Sequence, residues 1–408
     1  MPAIPHFPAR AHRARTMCSA WALLAALLAG CASPSAEIER RAGGAPSAET
    51  EKGVAEPLAV GVYMGEGSSG IGAMEWCRLV ASSPEMTLTL LDGNSVRKGA
   101  LDTLDLLVMP GGNSKSQYYS LASNGVELIK AFIRDGGGYI GTCAGCCLLM
   151  DEPVRRARVI PWKSSGSLDS VLLLSVAVNE AGAKALGIKS GPHSFRYHGG
   201  PFLQPTTNKI DGANFELWGT YDAEANGKGR VNKAKKMFGA GAIVGGTYGK
   251  GRVFATSVHP EYFDSTRYLV RAAFRWVTGR EVTFPAKPRS RGALAVGFCG
   301  IGGVATARAL LAIDAEDDID LVPVDNDAIQ KGALAHLDVL VSANGAAVKS
   351  AACRGALAAF VARGGTVVAC GAKDLAPIGG GILCKSPDAL LPAIRRLFPK
   401  DDAKLCYN

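Results

Sequence analysis

Gly136-Gly137-Gly138-Tyr139-Ile140-Gly141-Thr142-Cys143-Ala144-Gly145 decides how the rest of this 408-residue chain is read. Tyr139 to Thr142 has the composition of a short buried strand, and it runs directly into Cys143. Gly141 and Gly145 bracket the cysteine in the G-x-nucleophile-x-G arrangement. Small residues are needed there because a strand that turns abruptly into a helix leaves no room for side chains. A cysteine in such a place is either a nucleophile or a small buried apolar residue. Cys146 and Cys147, just beyond, read as the latter.

Upstream lie three more apolar strands, at Leu58–Met64, Met86–Leu91 and Leu104–Met109. A glycine-rich turn (65–72) and a helical pattern to about Ser82 separate the first two, and Val126 to Asp135 reads as a helix after Asn124-Gly125. Near-continuous apolar strands alternating with helices predict an α/β protein with a parallel sheet covered on both faces. The order then recurs: Ala293–Phe298 is a strand, Ala305–Ile313 a helix and Ile319–Val324 a strand. KGALDTLDLLV (98–108) and KGALAHLDVLV (331–341) are identical at 8 of 11 positions. Residues 293–400 therefore read as a smaller, degenerate second α/β copy. Aligned without gaps, Gly371 falls opposite Cys143, so the copy lacks the nucleophile, and His336 reads as surface.

Two further elements belong with Cys143. Gly249-Lys250-Gly251-Arg252 opens an apolar run, Val253–Val258, that ends in His259-Pro260-Glu261. A histidine at a strand end can take a thiol proton, and a carboxylate two residues on can orient its ring. Pro110-Gly111-Gly112 ends the third strand, where the amides of Gly112 and Ala144 are candidates for an oxyanion hole. All three elements fall at carboxyl ends of expected strands, where open α/β sheets place their sites.

Together, PGG, GTCAG and GKGRVFATSVHPE resemble the class I glutamine amidotransferase-like superfamily. With YHGGPF (197–202) and SVHPEY they are similar to the group named for the biotin-protein ligase N-terminal domain. The resemblance covers about 57–280. It implies a flavodoxin-like fold, a Cys143–His259–Glu261 triad, an oxyanion hole at Gly112 and Ala144, and a pocket lined by Gly111, Tyr197, His198 and Gly199. Cys147 stands where glutaminases of the superfamily usually carry Gln, and no synthetase or biotin-ligase catalytic domain follows, so neither activity carries over with the name.

The first thirty residues read as an address. Arg10, Arg13 and Arg15 precede an 11-residue apolar stretch, Ser19–Ala29, and Leu28-Ala29-Gly30-Cys31 resembles a bacterial lipobox with Cys31 as the lipidated residue. Ala32 after the cysteine implies outer-membrane sorting, and hence a lipid-anchored protein of the cell envelope facing the periplasm. Residues 31–56 read as a flexible tether, 57–280 as the main domain, and 281–292 as a linker with proline and no period.

Composition narrows the function. The chain is 48% hydrophobic and 20% charged, which excludes a wholly disordered chain. No apolar run approaches the roughly 18–20 residues of a membrane-spanning helix. Net charge is +9, three of it in the first thirty residues, with no basic stripe interleaved with aromatics, so no nucleic-acid partner is expected. Eleven cysteines are too few for a disulfide scaffold, although Cys384 and Cys406 are candidates to pair. Gly65-x-Gly67-x-x-Gly70, with Asp92 after it, matches a dinucleotide fingerprint, and Gly300-x-Gly302-x-x-Ala305 echoes it. Any first turn of such a sheet is glycine-rich, and no cofactor or metal is expected. Two readings remain open. One is a cysteine-dependent amidohydrolase acting on a small molecule or peptide of the envelope; the other is a non-catalytic binding or scaffold lipoprotein. Self-association is left open.

Overall fold

The computed structural model describes residues 56–222, 237–287, 292–343, 350–370 and 381–400. The signal segment with Cys31, nearly all of the tether, Gly371 and Cys406 lie outside the described residues. Among the described residues no helix is long and apolar enough to cross a membrane.

The parallel core forms where sequence places it. β1 (Leu58–Tyr63), β2 (Met86–Leu91), β3 (Leu106–Met109) and β4 (Gly138–Thr142) pair in the order β2-β1-β3-β4, all parallel. Strand β11 (Gly251–Thr256) adds to β4, also in parallel, with Thr256 opposite Thr142. This is the expected flavodoxin-like core. Its strands are buried along nearly their whole length, as a sheet covered on both faces requires.

The sheet continues beyond β11 in a way the sequence did not foreshadow. β5 (Trp162–Ser164), β6 (Val171–Val178), β7 (Gly191–His198), β8 (Leu203–Pro205), β9 (Ala213–Tyr221) and β10 (Gly241–Tyr248) are joined by antiparallel pairing, and the main path runs β11-β10-β9-β6-β7. The result is an 11-stranded mixed sheet rather than a purely parallel one. The tight Gly249-Lys250 turn between β10 and β11 makes that pair a hairpin.

The second sheet has the order β13-β12-β14-β15-β16, all parallel: β12 (Leu294–Cys299), β13 (Ile319–Pro323), β14 (Val339–Ala343), β15 (Thr366–Cys370) and β16 (Gly381–Cys384). The kinship of the two sheets extends to single hydrogen bonds. Asp105 carries the Ala59 amide on Oδ2 at 2.8 Å and donates its own amide to the Ala59 carbonyl at 2.8 Å. Asp338 does the same with Ala295, at 2.8 and 2.9 Å. Asp92 caps the Gly93–Arg97 helix, and Asp325, at the equivalent place, caps Asn326–Gln330. The copy includes a fifth parallel strand, β16, paired to β15, which its sequence did not reveal.

Two expectations change. The Ser114–Asp135 helix starts well before Val126, capped by the Asn113 side chain on the Ser116 amide and interrupted at Ala122. The linker is not loose where it is described. Val282 and Phe284 are buried, and the Thr283 hydroxyl donates to Glu85 at 2.9 Å. The two apolar residues alternate with polar ones, so the segment packs as an extended strap. Cys384 is a free buried thiol, its sulfur 3.6 Å from the Ala389 carbonyl.

The two sheets meet through the Gly70–Ser82 and Val304–Ala315 helices. Arg78 Nε donates to Asp314 Oδ2 at 3.0 Å, and a Cβ on Gly70 would lie 3.1 Å from the Ile301 amide nitrogen. One apolar core runs through both sheets.

Candidate active site

Cys143 sits between β4 and the Ala144–Leu149 helix with φ 50° and ψ −103°. This is a left-handed conformation that non-glycine residues avoid, and holding it costs on the order of 1–3 kcal/mol. Neighbouring contacts enforce it. The Cys143 amide donates to the Thr256 carbonyl at 2.8 Å, and its carbonyl accepts from Cys147 at 3.0 Å. A Cβ on Gly145 would stand 2.0 Å from the Met109 carbonyl oxygen, so only glycine lets the helix close against β3. Tyr139 fixes the turn from beneath by donating its hydroxyl to the Gly145 carbonyl at 2.7 Å.

His259 follows β11 and faces the same spot. Its amide donates to the Arg196 carbonyl at 2.8 Å, which ties it to the end of β7. A Cβ on Gly111 would lie 2.5 Å from His259 Cε1 and 3.2 Å from Cys143 Cβ. Ring and nucleophile thus share the space that glycine leaves in the PGG turn. His259 Nδ1 is 2.9 Å from Glu261 Oε1, and both side chains are buried. Burial alone opposes a charged ring; the Glu261 carboxylate, and then the Cys143 sulfur, overcome it and lift the His259 pKa to about 10. The Cys143 thiol donates to the His198 carbonyl at 3.5 Å, and His259 Nε2 has no hydrogen-bond partner among the described residues. Rotation of the thiol about its own side chain is what would join them.

Gly111 lies beside the nucleophile, its Cβ position 3.2 Å from Cys143 Cβ, and the Gly112 and Ala144 amides directly follow Gly111 and Cys143 in the chain. The PGG turn is held by the glycine-rich turn of β1: Ser69 donates to the Gly111 carbonyl and Asn113 to the Gly67 carbonyl, each at 2.7 Å. Those backbone groups are thereby spent on the protein's own floor. Among the described residues no group of His, Cys, Asp and Glu has the arrangement of a metal site.

The YHGG segment divides. His198 supplies the carbonyl that holds the thiol, and Gly199 follows it with φ 69°. Burial, then the charges of His259 and Arg196, lower the His198 pKa. Tyr197 does not offer its hydroxyl to a pocket: it accepts from Leu168 N–H at 2.7 Å and donates to the Gly200 carbonyl at 2.8 Å. It is a fully buried strut of the loop. Cys146 is buried as expected, Cys147 is half-buried, and desolvation pushes the Cys147 thiol up to about 12.

Sequence reasoning missed Arg196 and Tyr262. The Arg196 guanidinium lies over the Tyr262 ring, 4.5 Å from its centroid, and that ring meets the His259 imidazole edge-on at 5.5 Å and 87°. SVHPEY carried a signal for the tyrosine. For the arginine there was none, because β7 meets His259 only through long-range pairing.

The strained cysteine and the buried His259–Glu261 pair thus meet at the carboxyl ends of the paired strands β4 and β11. Residues 59–148 match the family described as biotin-protein ligase, N terminal. No curated protein matches the chain. Among solved structures, a ThuA-like protein from Bacteroides uniformis is 12% identical, with 58% of this chain and 97% of that one covered at TM-score 0.43. PurLQS from Thermotoga maritima is 16% identical, with 54% and 99% covered at TM-score 0.37. A β-galactosidase from Bacillus circulans is 10% identical, with 51% of this chain and 27% of that one covered at TM-score 0.35. None of these three bears on activity.

Proposed function

We propose that the protein is an exported, Cys31-anchored lipoprotein whose Cys143–His259–Glu261 site hydrolyses an amide or related acyl bond in a small molecule or peptide of the cell envelope. The observation that carries this reading is the strained Cys143 backbone, φ 50°, beside a buried His259–Glu261 pair at 2.9 Å. Strain of that kind persists only where surroundings impose it, and it collects at functional sites.

The chemistry follows from the proton positions. In the reacting form the Cys143 proton has passed to His259 Nε2, so that a thiolate faces a ring whose other proton is shared with Glu261; the raised His259 pKa, about 10, favours that form. The Cys143 sulfur attacks the acyl carbon, the carbonyl oxygen gains the electron pair, and the Gly112 and Ala144 amides receive it. The C–N bond then breaks, the leaving amine takes the Nε2 proton, and a thioester remains. Water gives one proton to the now neutral His259 and its oxygen attacks the thioester; the C–S bond breaks, releasing a carboxylic acid and restoring the Cys143 thiolate beside protonated His259.

The rival reading is a binding or scaffold lipoprotein that keeps the elbow as a relic. Two observations favour it: Cys147 at the usual Gln position, and only 6% exposure of Cys143. Site-by-site alkylation of the full-length chain separates the two. Labelling of Cys143 by iodoacetamide at about pH 6, below a free thiol's pKa, and loss of that labelling in His259→Ala support the enzyme. Labelling no faster than an ordinary thiol removes it. The anchor is tested by fatty-acid incorporation, which Cys31→Ser must abolish.

A further inference from the structure

Arg196 has little to do in the protein as it stands. Its side chain is 18% exposed, yet its buried Nε has no hydrogen-bond partner among the described residues. The ion-pair partner, Asp325 Oδ2, stands 3.8 Å from Nη2, beyond hydrogen-bond length. A mostly buried guanidinium ordinarily fills its donors, because each one left empty costs desolvation without return. Arg78 and Arg395 in this chain do fill theirs, on Glu75 and Asp314 and on Glu316 and Asp318.

What holds Arg196 is shape and charge. The Tyr262 face supports the guanidinium at 4.5 Å, and that ring packs on His259. Arg196 is also within electrostatic range of His198, whose carbonyl holds the Cys143 thiol. Asp325 comes from the second α/β copy. Its Oδ1 is committed to the Ala328 amide at 2.7 Å as a helix cap, which fixes the carboxylate and leaves Oδ2 toward the arginine. A planar fork of N–H donors, stacked, oriented and without a hydrogen-bonding oxyanion, is suited to a carboxylate.

We infer that Arg196, seated on Tyr262 and steered by Asp325 of the C-terminal copy, is the substrate-recognition group of the Cys143 site, and that the substrate carries a carboxylate near its scissile bond. This rests on the proposed catalytic role of Cys143. The copy that lost the nucleophile thereby remains useful to the site. It contributes Asp325, the placeholder that a substrate carboxylate displaces.

The test uses two alkylating probes of nearly equal size, iodoacetate and neutral iodoacetamide, on the full-length protein. The rate ratio at Cys143 is read by mass spectrometry and normalised to the ratio for glutathione. A ratio raised roughly tenfold is expected, on the strength of a charge-assisted hydrogen bond. It must fall back in Arg196→Gln, persist in part in Arg196→Lys, and rise further in Asp325→Asn, where the competing carboxylate is gone. Thermal melting of each variant accompanies the rates, and the Asp325→Asn gain is a result that misfolding does not produce. Equal ratios in the wild type, Arg196→Gln and Asp325→Asn overturn the inference while leaving the catalytic reading intact. Sluggish iodoacetamide labelling of Cys143, unchanged by His259→Ala, removes the catalytic reading and this inference with it.

Discussion

Replacing Glu261 by glutamine tests the electrostatics of the site directly. In the native protein burial is the largest single influence on His259 and disfavours the charged ring; the Glu261 carboxylate at 2.9 Å is the largest influence against it. Glutamine keeps the size and one hydrogen bond but removes the charge. Burial is then opposed chiefly by the Cys143 sulfur, and the pKa must fall from about 10 toward the ordinary histidine value of about 6.5. At about 1.4 kcal/mol per unit this is on the order of 4–5 kcal/mol between the two protonation states, an upper bound because partial solvent relaxation reduces it. The chain has only six histidines, so ring carbon NMR with labelled histidine resolves the titration residue by residue. A wild-type His259 that titrates near about 6.5, or one that Glu261→Gln leaves unmoved, refutes the reasoning.

The same pair sets a pH dependence of stability. The folded-state pKa of His259 is raised, so its contribution is complete below about 6.5 and is lost as pH rises through about 10. Denaturation midpoints of the wild type should fall across that window, and those of Glu261→Gln should fall less. At the elbow, Cys143→Gly should be more stable than Cys143→Ala by about 1 kcal/mol, the reverse of the ordinary order, because glycine relieves the φ 50° strain that alanine retains. Denaturant titration that finds alanine the more stable would show that the backbone is unstrained. Gly145→Ala forces a Cβ to 2.0 Å from the Met109 carbonyl oxygen, and should destabilise by roughly 1–3 kcal/mol with loss of Cys143 labelling.

What sequence made legible was whatever is local or uniformly buried. β1, β3, β4 and β14 are apolar almost without interruption, and the repeat of KGAL…LD…LV marks the latch residues Asp105 and Asp338 shared by the two copies. The elbow also announces itself, because a strand, a cysteine and two glycines follow one another. The antiparallel half was opaque. Val171–Val178 reads VLLLSVAV, which suggests burial throughout, yet its first three residues are exposed or half-exposed. Gly191–His198 alternates polar and apolar residues over a face that only distant strands define. Arg196 belongs to that half, and its neighbours Tyr262 and Asp325 come from 66 and 129 residues further on. Tyr197 was misplaced for a related reason: the motif identifies the loop, but not which of its groups are already hydrogen-bonded to it.

The paired latches of Asp105 on Ala59 and Asp338 on Ala295 bear on how the chain folds. Each joins residues 46 and 43 apart, so each copy can register its first two inner strands without waiting for the other. Equivalence also creates a hazard, since β1 presents to Asp338 and β14 nearly the edge it presents to Asp105 and β3. A growing chain that completes the first latch before the second aspartate emerges avoids the exchange. Refolding from denaturant offers no such order, and crossed latches between the copies are the trapped species to look for there.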